Sequence, residues 1–226
     1  MNRANSFIKT ILLFLYYLFA NILIGGIFEL FNININNHML INSITDILFL
    51  FTICFIYKKD IIASIKQFNS KYKLRDKIWK IFKFVLLLAF IMVSYGKIID
   101  LLFKGVSVTD ANTDSLYTLA NITLLYAMFK TLIFAVIAEE LLFKKSIRDL
   151  VTNNILFIII SGSIYAFMNI AYTDLSFISI ITFIRCFTFS SVLSYIYIKS
   201  DDNIFIVMLV KFFYTLIPLL LLLIGV

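Results

Sequence analysis

Residues 116–145 read LYTLANITLLYAMFKTLIFAVIAEELLFKK. From Leu116 to Ala138 the run is almost wholly apolar, with Lys130 its single charge, and it closes on two adjacent carboxylates, Glu139 and Glu140, and two adjacent cations, Lys144 and Lys145. A helix of roughly 20 such residues crosses a hydrocarbon core of about 30 Å. The stretch therefore predicts a membrane-spanning helix with charge at its end.

Six further runs have the same character: Thr10 to Phe31, Met39 to Tyr57, Phe84 to Phe103, Ile155 to Ala171, Leu175 to Ile198 and Ile204 to Val226. Of the 226 residues, 62% are hydrophobic and 15% charged, which excludes a soluble globular domain and suits lipid as the solvent. The expected fold is all-α, a polytopic membrane protein of about seven helices. The first run follows Arg3 and Lys9 but is too long for a cleaved leader and lacks a small-x-small site, so it is expected to be a retained span.

The net charge of +7 does not point to nucleic acid, because its distribution follows a topological rule. Nine Lys/Arg lie between Lys58 and Lys83; Arg3, Lys9, Lys144, Lys145, Arg148 and Lys199 bring the total on one side of the seven-span arrangement to fifteen, against Lys104 alone on the other. The positive-inside rule places the N-terminus in the cytoplasm and the C-terminus outside, in a multi-pass protein of the cell membrane. Lys97, Lys130, Arg185 and Lys211 fall within the proposed spans.

The chain reads as one membrane domain, 1–226. Within it, residues 1–115 form N-terminal helices with a basic cytoplasmic loop at 58–83, and residues 116–226 a four-helix core. The loop mixes its cations with Ile61, Ile65, Phe68, Trp79 and other apolar residues, a pattern that topology alone explains and that also suits an amphipathic helix on anionic headgroups. Cys54 and Cys186 sit inside predicted spans with no CxxC partner and read as packing residues. No phosphate-binding Gly loop, haem motif or lipidation box occurs.

Neighbouring acids repel, and charge at membrane depth requires a partner or a function. Glu139-Glu140-x-x-Phe143-Lys144, followed by three more spans, resembles the CPBP family of CAAX proteases and bacteriocin-processing or immunity proteins. That family has a Glu-Glu-x-x-x-Arg motif, then Phe-x-x-x-His, then His-x-x-x-Asn or Asp. Here Lys144 stands for Arg, while Tyr165 and Asn169 stand in the second motif for Phe and His. Continuing the register through Ser194-Tyr195 and Asn203-Ile204-Phe205 puts Lys211 at the third motif's His and Thr215 at its Asn or Asp. The likeness covers roughly residues 115–220 and implies a CPBP-type helical core with Glu139, Glu140, Asn169, Lys211 and Thr215 at its site.

In active members the first Glu is thought to activate water with help from the histidines, and zinc is expected only where that chemistry survives. A catalytic zinc commonly takes three protein ligands and leaves one position open for water. The single histidine, His38, follows the Asn-rich segment 32–37 on the opposite side of the expected membrane, so it is assigned no metal role. A protonated Lys211 would repel a metal cation. The substitutions instead predict a charge-compensated polar core in which Lys211 pairs with a glutamate and Asn169 hydrogen-bonds nearby. Lys130 lies nine residues before Glu139, about 13 Å along a helix, too far for a direct partner; Asp46 is a candidate mate for Arg185.

The expected function is that of a CPBP-type protein without metal-dependent peptidase activity or cofactor, acting by binding in the bilayer. Bacteriocin self-immunity and regulation of a membrane-protein partner are the readings this leaves open. The alternatives are an active endopeptidase of CAAX or peptide-processing type with Glu139 as general base, and a carrier lined by the intramembrane charges. The Lys/Arg asymmetry predicts that an alkaline phosphatase fusion after residue 70 is inactive and one after residue 110 is active. The reverse pattern would invert the topology.

Overall fold

The computed structural model describes residues 3–30, 38–103, 124–171, 174 and 176–224. Its elements are α1 (Arg3–Leu30), α2 (His38–Ile56), α3 (Lys58–Lys71), α4 (Leu74–Leu102), α5 (residues 124–148), α6 (Asn154–Ile170), α7 (Phe177–Lys199) and α8 (Ile204–Ile224). No strand occurs among the described residues. With no water to satisfy the backbone in lipid, each segment closes its own hydrogen bonds as a helix.

Among the described residues, four helices are long and apolar enough to cross a membrane: Asn5–Phe28, Leu74–Leu102, Phe177–Lys199 and Ile204–Leu221. A fifth candidate joins Leu40–Ile56 to Lys58–Lys71 through a bend of 70°, and Asn154–Ile170 is a shorter apolar helix. The all-helical membrane fold is as expected, whereas seven separate spans are not established. The difference has two local causes. Part of the run expected at Leu116 to Ala138 falls on residues 116–123, outside those described. Past Ala138, α5 does not leave the apolar region at its acids but continues to residue 148 as a buried helix.

That buried stretch is the axis of the molecule. Phe134, Val136, Ala138, Leu141, Leu142, Phe143 and Ile147 are all buried, together with Glu140, Lys144 and Ser146, so the second half of α5 is largely covered, while Leu125 and Ile133 in its first half are exposed. It is wound with π-type hydrogen bonds over Phe129–Glu139 and Leu141–Ser146, a geometry that is rare and recurs at functional sites. Tyr17 of α1 packs on Phe49 of α2 and on Phe134 and Phe143 of α5, and Phe143 meets the Tyr165 ring of α6 edge-on at 5.2 Å.

Two local devices position the helices around α5. Asn153 caps α6 by accepting from the backbone N–H groups of Ile155 and Leu156 at 2.9 and 3.1 Å, and Ser176 caps α7 through Ser179 N–H at 3.2 Å. The turn into α8 holds Asp201 and Asp202 at φ of 57° and 54°, in the left-handed region that Asp tolerates better than most residues. Lys71 bonds Asp201 at 2.5 Å and Arg148 bonds Asp202 at 3.0 Å. Asn203 Nδ2 donates to Ser64 O and Gln67 Oε1, both at 2.9 Å, which ties α3 to this turn. The Lys71 hydrogen bond holds the Asp201 carboxyl below its usual pKa.

α6 and α7 pack closely at Gly162. A Cβ there would lie 2.6 Å from Ser191 Oγ and 3.0 Å from two carbons of the Phe187 ring. Small residues permit such backbone proximity between membrane helices. Cys54 and Cys186 are unbridged and half-buried. Gly162→Val is expected to force the two helices apart and destabilise the protein by about 1–3 kcal/mol, read as a lower unfolding temperature in detergent, with Ser191→Gly recovering part of the loss. An unchanged transition would mean that the seam is looser than this packing.

Candidate functional site

Glu139 and Glu140 are adjacent on α5 and meet one cation from α8. Lys211 Nζ lies 2.7 Å from Glu140 Oε1 and 3.1 Å from Glu139 Oε2. The Lys211 side chain is 3% exposed, Glu140 1% and Glu139 15%, so the pairing is almost wholly out of solvent. α8 is helical without interruption through Val207 and Val210, which places Lys211 on its α5-facing side with those buried valines. The expected pairing of Lys211 with the acids is thus present, and it engages both.

A second ammonium lies one turn further along α5. Lys144 is fully buried, where the expectation placed it in a cytoplasmic loop. The correction has a structural cause: α5 continues inward past the acids, and serines of α6 and α7 supply the hydrogen bonds that water would have given. Lys144 Nζ donates to Ser190 Oγ at 2.5 Å and to Ser161 Oγ at 3.1 Å. Ser161 Oγ in turn donates to Phe143 O at 2.6 Å and lies 3.1 Å from Ser194 Oγ. The Tyr165 ring stands between the two ammoniums, its centroid 5.7 Å from Lys144 Nζ and 5.5 Å from Lys211 Nζ. With all four groups ionised, the cluster of two lysines and two glutamates is neutral. Glu140 Oε2 has no protein donor.

Asn169 and Thr215 each hydrogen-bond within their own helix. Asn169 Nδ2 donates to Tyr165 O of its own helix at 2.8 Å, and its expected hydrogen bond into the polar core is not made by that group. Thr215 Oγ1 likewise lies 2.9 Å from Lys211 O and 3.1 Å from Phe212 O. In both, the side chain bonds the i−4 carbonyl of its own helix. His38 begins α2, and its side chain lies outside the described residues.

Asp46 is engaged by Lys130 rather than held for Arg185. Lys130 Nζ lies 2.7 Å from both Asp46 oxygens, and Tyr126 Oη donates to Asp46 Oδ2 at 2.9 Å. This pair borders a cavity of about 350 Å³ between α1, α2 and α5, lined also by Tyr17, Asn21 and Thr45. Lys130 and Asp46 meet because α2 packs along α5, a fact that single-helix spacing does not contain. Ser190, Ser194 and Ser161 received no role from the sequence. The signal that could have found them is the i, i+4 repeat of Ser190 and Ser194 on one face of α7, together with a lysine in the Arg position of the first motif.

The residues present do not fit a zinc ion. Among the described residues no group of three or more His, Cys, Asp or Glu side chains is arranged to hold a metal. The one anionic pair already accepts from an ammonium, so a divalent cation would meet a like charge about 3 Å away.

Residues 121–217 match the family model for Rce1-like proteins, described as type II CAAX prenyl endopeptidase Rce1-like. That span runs through α5, with both glutamates and Lys144, to Lys211 and Thr215 of α8. The resemblance drawn from the acid pair is borne out over this stretch. No curated protein and no solved structure matches the chain.

Stranding one member of a buried pair typically costs about 3–5 kcal/mol, and replacing both members by neutral groups costs far less. Lys211→Met alone is expected to lower the unfolding temperature in detergent, and Lys211→Met with Glu140→Gln to recover most of the loss. Glu139→Gln should recover less, because Glu139 is longer-bonded and more exposed. Additive losses in both double variants would show that Lys211 is not coupled to the acids.

Proposed function

We propose that this protein, a membrane protein that is Rce1-like and of CPBP type over residues 121–217, acts by holding a hydrophobic peptide or membrane-protein partner and not by cleaving it. The observation that carries this reading is the Lys211 ammonium at 2.7 and 3.1 Å from the two carboxylates. A general base must be free to take a proton from water within hydrogen-bond reach. Glu140 is closed to solvent, and Glu139 already accepts a hydrogen bond from the Lys211 ammonium.

The same ammonium supplies the positive charge that a metal would bring, without a Lewis-acid site or an open coordination position. Lys144 and its serines extend the compensation, so the site is a charge-balanced plug at the centre of the bundle. Such a core stabilises the helices around it and leaves their outer faces to bind. Bacteriocin self-immunity or regulation of a membrane-protein partner are roles of this kind, and neither uses a cofactor or nucleic acid. The N-terminus is assigned to the cytoplasm and the C-terminus to the outside on the Lys/Arg asymmetry, with Lys144 withdrawn from the count because it is buried.

A second reading is favoured by one observation. Glu139 is 15% exposed against 1% for Glu140, so it is the carboxylate that water would reach in an active endopeptidase. Metal content and cleavage decide between the two. Purified protein is expected to carry substoichiometric zinc and to cleave a fluorogenic prenylated or hydrophobic peptide no faster than its Glu139→Gln variant. One zinc per chain removable by chelator, or cleavage abolished by Glu139→Gln, would overturn the binding reading.

A further inference from the structure

The protein's positive charge is confined to one hairpin. Of its 20 Lys/Arg and 13 Asp/Glu, nine cations and two acids lie between Lys58 and Lys83, which leaves eleven of each sign elsewhere. The whole net charge of +7 is therefore that of α3 and the start of α4.

Elsewhere several cations meet acids of the fold. Lys9 and Lys145 bond Asp149, Lys130 bonds Asp46, Arg148 bonds Asp202, and Lys211 bonds the glutamates. Of the nine hairpin cations, Lys71 alone reaches an acid among the described residues, Asp201. Lys77 and Lys80 have neutral partners, Asn69 Oδ1 at 3.0 Å and Tyr72 Oη at 2.6 Å. One of the hairpin's two acids, Asp60, is itself drawn off by Lys145. Among the described residues no ion pair neutralises the remainder.

Its setting is the end of two membrane-crossing elements. α3 turns 70° from α2, buries Ser64 and Phe68 against the α8 end of the bundle and leaves Lys58, Lys59 and Lys66 exposed. Where α4 begins, Leu74 is 73% exposed, Ile78 61% and Trp79 56%, interleaved with exposed Lys73, Arg75 and Lys83. Trp79 stacks on Phe82 with centroids 5.8 Å apart, and Lys83 Nζ lies 5.2 Å over the Trp79 ring. Exposed apolar and indole groups among cations at a helix end match the layered chemistry of a headgroup region.

We propose that the α3–α4 hairpin is a docking surface for anionic phospholipid headgroups, with Lys73, Arg75 and Lys83 bonding phosphate and Leu74, Ile78 and Trp79 seated at the acyl boundary. Each cation at such a surface contributes attraction that decays within a Debye length. The site is independent of the acid pair and of the reading given to it.

Trp79 is the chain's one tryptophan, so its fluorescence reports this surface alone. The full chain is placed in nanodiscs holding either dibrominated phosphatidylglycerol or dibrominated phosphatidylcholine at equal mole fraction. Quenching is expected to be about threefold stronger by the anionic lipid, to fall to parity near 1 M salt, where the Debye length is about 3 Å, and to reach parity at low salt in the Lys73→Gln/Arg75→Gln/Lys83→Gln variant. Should that variant fail to insert, the salt series on the unaltered protein carries the test. Equal quenching by both lipids, or a preference that salt does not weaken, would overturn the proposal. So would an emission shift on adding soluble polyglutamate or RNA without any lipid preference, which would make the partner an acidic macromolecule.

Discussion

One buried ammonium between two carboxylates is the constraint on which the centre of this protein depends. An unpaired charge at mid-bilayer costs several kcal/mol on an insertion scale. α5 carries three of its charges, Glu139, Glu140 and Lys144, within a largely buried stretch. The helix can occupy the axis of the bundle only because α8 delivers Lys211 to the acids and because α6 and α7 deliver serine hydroxyls to Lys144. Its length, its burial and its place among the other helices follow from that neutrality.

The serines have a packing role as well as a polar one. Ser161, Ser190 and Ser194 are nearly inaccessible, and with Gly162 they form the narrow seam where α6 and α7 come together. A larger residue at any of them would hold the helices apart or cover the hydroxyls that Lys144 uses. Close approach and charge satisfaction are thus obtained from the same small residues. The Tyr165 ring between the two ammoniums completes the arrangement by presenting a π face where a third polar group would itself need a partner.

Likeness to Rce1-like endopeptidases extends over the segment that builds this cluster, and the segment keeps the acids of that family's first motif while surrounding them with cations. A carboxylate that water can reach is a base; the same carboxylate held by an ammonium out of solvent is half of an ion pair. The cation that bonds these acids is Lys211, while Lys144 is held by the hydroxyls of Ser161 and Ser190.

Several of these features were legible in the residues themselves. Hydropathy alone sets the helical class, because no other structure satisfies its backbone in lipid, and the Glu139–Glu140 pair with its following basic residue marks both the site and the family resemblance. Lys211 was legible as the partner only through the register of that resemblance. The rest depended on how helices pack. Nothing local to Lys144 reveals the serines of α6 and α7 that bond it, and the register of the motifs does not show that the Asn169 amide and the Thr215 hydroxyl each bond a carbonyl one turn back on their own helix. Asp46 found Lys130 because α2 lies along α5. Apolarity and short motifs are properties of consecutive residues, so the sequence by itself determined the solvent, the class of fold and the acid pair. Which charge neutralises which is a property of residues brought together from distant helices, and only the tertiary structure decided it.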